Sequence, residues 1–83
     1  VADTERTKFR GRLAEKDDER HQLKIKIDLR RDQLRDLLDP FADPKDMNGE
    51  KIMQLSIEMA TYLIDYGAVM AEIAAIKKAL GVD

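Results

Sequence analysis

Ile52–Ile76 reads IMQLSIEMATYLIDYGAVMAEIAAI, and this stretch decides the fold. In a chain of 83 residues that is 39% charged, it holds only three charges, Glu58, Asp65 and Glu72, spaced by seven. On a helix those acids make one thin stripe, and nearly everything else is apolar or small. A lone helix cannot keep such a surface in water. The stretch therefore speaks of packing and assembly before it speaks of chemistry.

Two apolar series run through it. Ile52, Leu55, Met59, Tyr62, Tyr66, Val69, Ile73, Ile76 and Leu80 alternate steps of three and four, an unbroken heptad seam. Beside it Ile57, Ala60, Ile64, Gly67, Ala71 and Ala74 keep the same rhythm, with Leu63 and Met70 filling the gap. The combined apolar arc is roughly 200°, against about 100° for an ordinary surface helix. The first seam is large and suits packing within the chain. The second is small, and Gly67 would cost about 1 kcal/mol in an exposed helix, so a close approach by another backbone is expected there. Ile57, Ala60, Leu63, Ile64, Gly67, Met70, Ala71 and Ala74 are the expected dimer interface.

Working outward, Gly81 after Leu80 is a glycine helix stop, with Val82 expected to supply its hydrophobic contact. On the other side, Asp39 to Gly49 holds Pro40 and Pro44. Each proline disfavours helical geometry in the residue before it. The spacing predicts helix 1 over about 3–38, a turn over 39–48 and helix 2 over about 49–80, all in one domain, 1–83. Asn48 is the expected N-cap of helix 2 and Asp3 or Thr4 that of helix 1. A connection this short makes the helices antiparallel neighbours.

Helix 1 is charged, with a narrow seam of Phe9, Leu13, Leu23, Ile27, Leu34 and Leu37 interrupted by Lys16, Arg20 and Arg30. Opposite charges recur at i,i+3, from Asp3–Arg6 and Glu5–Lys8 to Asp17–Arg20, Asp28–Arg31 and Asp32–Arg35. Leu23 to Leu29 alternates like a strand, but its flanks are helical and no second strand is available to pair with it. On a helix Ile25 and Leu29 then fall nearly opposite Leu23 and Ile27, forming a candidate face for a partner. A hairpin turning near Pro44 sets residues equidistant from it opposite one another. Glu72 then faces Lys16, Glu58 faces Arg30, and Asp65 lies near Arg20 or Lys24.

Composition narrows the functions. The chain has no cysteine, so disulfides and thiolate metal sites are excluded. His21 is its only imidazole and Ser56 its only serine, which leaves no triad within one chain and no enzyme expected. Asp18-x-x-His21 has half the spacing of a metal-carboxylate bundle site, but it sits among solvated charges rather than in an apolar core. Asp39, Asp43, Asp46 and Glu50 lack calcium-loop spacing. No metal or cofactor is expected. Residues 1–37 carry eleven Lys/Arg and nine Asp/Glu, and 38–83 carry four and eight, so the first half is +2 and the second −4. The basic groups of helix 1, Arg6, Lys8, Arg10 and Arg12 and then Lys24, Lys26, Arg30, Arg31 and Arg35, suit phosphates, although acids are interleaved among them. Helix 2 has the length of a bilayer span. No run in it approaches 18 uncharged residues, so no membrane is expected. Lack of cysteine and of an export signal fits a cytoplasmic protein.

The expected architecture is an all-α, two-helix antiparallel hairpin that dimerises into a four-helix bundle. It is similar in architecture, with no motif residue matched, to the Rop-type plasmid copy-number regulators, dimers of helical hairpins that bind RNA through one helical face. Type III secretion needle subunits are also short hairpins with a proline turn, but their Pro-x-x-Pro differs from Pro40-Phe41-Ala42-Asp43-Pro44. The expected function is protein–protein interaction or assembly as a homodimer or higher homo-oligomer, meeting another protein. The alternative is a small RNA- or DNA-binding regulator using the basic face of helix 1, and a weaker one a metal-carboxylate bundle.

Overall fold

A computed structural model describes residues 3–81. Helix α1 spans Asp3–Leu37 and α2 spans Gly49–Leu80, joined by a turn that contains one 3-10 turn at Pro44–Asp46. The two helices pack against each other along their length as a hairpin of 63 × 18 × 14 Å. The thin dimension is about one helix diameter, so each helix has one side covered and the rest in solvent.

The elements begin and end for local reasons. Leu38 N–H still bonds the Leu34 carbonyl at 2.8 Å, and helical bonding then stops before Pro40, which has no N–H to give. Asp39 Oδ1 accepts from Phe41 N–H at 2.9 Å, and Asp43 Oδ1 from Lys45 N–H at 3.0 Å, so both carboxylates shape the turn. Asn48 Oδ1 accepts from Lys51 N–H at 3.0 Å and caps α2. At the far end Gly81 takes φ 76°, a left-handed geometry that costs glycine little, and its N–H returns to the Lys77 and Lys78 carbonyls. The contact expected from Val82 lies outside the described residues. The cap expected of Asp3 or Thr4 needs correcting. Both already belong to the first turn of α1, and Thr7 Oγ1 bonds back to the Asp3 carbonyl at 2.9 Å.

Every residue of the large seam on α2 is buried or half-buried, with Leu55 and Ile76 each 3% exposed. On α1 the sheltered positions are Phe9, Leu13, Lys16, Arg20, Leu23, Ile27, Arg30, Leu34 and Leu37, with Asp28 at the edge. Only Ile27 and Leu34 of these are fully buried. The window from Leu23 to Leu29 is helical throughout. Its strand-like alternation comes from Ile25 and Leu29 standing on the outer face, each 51% exposed.

Candidate functional site

Two of the three cations that interrupt the α1 seam, Lys16 and Arg30, pair with acids of α2 across the hairpin. Arg30 Nε lies 3.0 Å from Glu58 Oε2, and Lys16 Nζ lies 2.9 Å from Glu72 Oε2. Glu72, and then Glu19 at 3.1 Å, hold the Lys16 ammonium above its usual pKa. At the open end Arg6 Nη2 donates to the Leu80 carbonyl at 3.5 Å, placing a cation at the negative end of α2.

The third expected pair does not form. Asp65 has no cation within 4.0 Å among the described residues. Arg20 turns to Asp17 at 2.9 Å, which lowers the Asp17 pKa and raises that of Arg20. Lys24 bonds Asp28 at 2.9 Å, which lowers the Asp28 pKa. The reason is which flank each residue occupies. Lys24 lines a groove with Ile27, Asp28, Arg31, Leu63 and Tyr66 on one side of the seam. Asp65 lines the groove on the other side, with Lys26, Leu23 and Glu72. Equal distance from the turn fixes height along the helix, not flank.

Lys26 has another role. Its Nζ stands 5.5 Å from the centre of the Tyr62 ring, and the Arg30 guanidinium is at the same distance. Two cations thus share one aromatic on the seam, each such contact contributing about 0.5–1 kcal/mol at exposed sites. The signal in the sequence was a tyrosine at a heptad position of α2 that faces the basic segment Lys24–Arg30 of α1. Phe41 is the other unanticipated residue, 94% exposed at the tip of the hairpin. It falls between two prolines, where no seam position exists to receive it.

The small series behaves differently from the large one. Ile57, Ala60, Leu63, Ile64, Gly67, Met70, Ala71 and Ala74 are all exposed in the single hairpin, and Ile64 is 73% exposed. Met53 joins them at the turn end. An added Cβ at Gly67 would meet nothing within 4 Å, so the hairpin itself gives no packing reason for that glycine. From Met53 to Ala74 this face carries no charge over about 32 Å, since Glu58, Asp65 and Glu72 all lie on the opposite flank. By length and composition α2 is also apolar enough to cross a membrane.

Chemistry-bearing side chains are scattered by comparison. His21 is exposed, and among the described residues no group of three or more His, Cys, Asp or Glu is placed to hold a metal ion. One groove, about 440 Å³, is shallow and lined mainly by charged residues of both signs. Comparison with protein-family models, with curated proteins and with solved structures finds no match for this chain.

Proposed function

We propose that the hairpin is a non-enzymatic assembly protein acting as a homo-oligomer. The outer face of α2 joins two copies into a four-helix assembly with the two α2 helices at its centre, and the outer face of α1, with Ile25 and Leu29, is left to meet another protein. One observation carries this: Met53, Ile57, Leu63, Ile64 and Met70 stand exposed on a single uncharged face of α2. Exposed apolar area on this scale marks an interaction surface, because each Å² removed from water is favourable by about 25 cal/mol. A bilayer is the less suitable cover. Asp65 sits near the middle of α2 without a paired cation among the described residues, and the charged α1 lies along the whole helix.

Sedimentation equilibrium tests the reading. The expected result is a dimer at micromolar concentration, with a melting temperature that rises with protein concentration. Ile64→Lys is expected to give a monomer with unchanged helix content by circular dichroism. A wild-type chain that stays a folded monomer at those concentrations would sink the proposal.

A specific observation supports the nucleic-acid alternative. Arg6, Lys8, Arg10 and Arg12 have no carboxylate within 4.0 Å among the described residues, unlike Lys16, Arg20, Lys24, Arg30 and Arg31. A regulator using this end of α1 would be retained on RNA or heparin, with affinity falling by about 0.9 log units per log unit of salt for each phosphate neutralised on a duplex. Elution at low salt, with no slope, would remove it.

A further inference from the structure

We infer that two copies of this chain meet through α2 in antiparallel orientation, about a two-fold axis at Ile64. This rests on the assembly reading above and adds the orientation and the centre of the contact. It comes from the order of residues along the outer face of α2. Glu50, Ile57, Ile64, Ala71 and Lys78, spaced by seven, form one row, and all five are exposed. The row has an acid at one end, a cation at the other and no charge between.

Turned end for end about Ile64, the row matches itself. Glu50 comes opposite Lys78 of the other copy, Ile57 opposite Ala71, and Ile64 opposite its own counterpart. The neighbouring row of Met53, Ala60, Gly67 and Ala74 follows with an offset of one residue, which brings Met53 nearest Ala74 and Ala60 nearest Gly67. Away from Ile64 large side chains thereby face small ones, and the backbones approach where Gly67 has open space beside it. The positive N-terminal end of each α2 also lies beside the negative C-terminal end of the other.

A parallel pairing in register keeps Ile64 opposite Ile64 but reverses the rest. It would set Glu50 against Glu50 and Lys78 against Lys78, with like charges at both ends. Ile57 would crowd Ile57 near the turn, and Ala71 would face Ala71 across a gap. Like-charge and size mismatches of this kind reject a wrong partner orientation.

The lack of cysteine allows a clean test. Glu50→Cys, Ile64→Cys and Lys78→Cys are made singly in the full chain and treated with a short bis-maleimide cross-linker, alone and as mixtures. Ile64→Cys is expected to cross-link to itself. Glu50→Cys and Lys78→Cys are expected to cross-link to each other in a mixture, and only weakly to themselves. Efficient Glu50–Glu50 or Lys78–Lys78 cross-links would overturn the orientation while leaving the assembly reading in place. A dimer by sedimentation equilibrium that does not cross-link at Ile64 would overturn the surface. A monomer throughout would remove the assembly reading and this inference together.

Charge reversal adds a second readout on the same surface. Glu50→Lys alone should raise the dimer dissociation constant about tenfold, and the Glu50→Lys/Lys78→Glu pair should return it to within about twofold. An unchanged constant in the single variant, or no rescue in the double, counts against the antiparallel register.

Discussion

The two faces of α2 are made from nearly the same residue types, yet one is covered and the other is not. On the inner face, Leu55, Val69, Ile73, Ile76 and Leu80 are buried because α1 supplies a matching seam in the same chain. On the outer face, side chains shrink from Met53 and Ile57 toward Ala71 and Ala74, and nothing in the hairpin reaches them. A helix buried on one face by its own chain follows the ordinary amphipathic rule. A helix apolar on two faces has a second requirement, which a single copy does not meet.

Substitutions on the two faces should separate these roles. The largest effect is expected from Leu55→Ala or Ile76→Ala, each removing a side chain only 3% exposed. Loss of about 2–5 kcal/mol is expected, read as a fall in melting temperature at every protein concentration. Ile57→Ala on the outer face should change the stability of the isolated hairpin by no more than about 0.5 kcal/mol, measured under dilute conditions. Equal effects at Leu55 and Ile57 under dilute conditions would erase the distinction between the faces.

An intermediate effect comes from the glycines. Gly11 and Gly67 both lie in helix interiors, and at neither would an added Cβ meet anything within 4 Å. Gly11→Ala should stabilise by about 1 kcal/mol at all concentrations. Gly67→Ala should give a similar gain when dilute, then lose it as concentration rises, because the new methyl group blocks the approach of a second α2. Parallel behaviour of the two variants across concentration would show that Gly67 has no role in contact between copies.

The smallest effect concerns the inner face alone. Glu58→Lys should destabilise the hairpin by about 0–1 kcal/mol, with recovery when Arg30→Glu is added. Because Arg30 also stands over Tyr62, recovery should be incomplete. Chemical denaturation of the four members of this cycle gives the coupling directly.

Much of this architecture was legible because helical packing follows a short repeat. The steps of three and four placed Ile27, Leu34 and Leu55 in the core, and Pro40 and Pro44 placed the turn. The pairs Lys16–Glu72 and Arg30–Glu58 follow from distance to that turn. The partner assigned to Asp65 was mistaken because distance alone does not say which side of the seam a residue occupies, and Lys24 stands on the other side. Lys26 over Tyr62 was missed for the same reason. What covers Ile64 is not legible from one chain at all, since nothing in the hairpin reaches it.

The slender shape of the hairpin, 63 Å long and 14 Å through, bears on how it is formed. Contacts between α1 and α2 lie in a single file, and the stretch of chain each one must close lengthens steadily away from Pro44. Pairing Leu34 near Leu55 closes a short loop, whereas pairing Leu13 near Ile76 in one step would close a loop several times longer, at a greater entropic cost. Folding should therefore proceed as a zipper from the turn outward, each closed rung shortening the loop left for the next. Native-state hydrogen exchange should run the same way, with amides near Leu34 and Leu55 the slowest and those near Phe9 opening first.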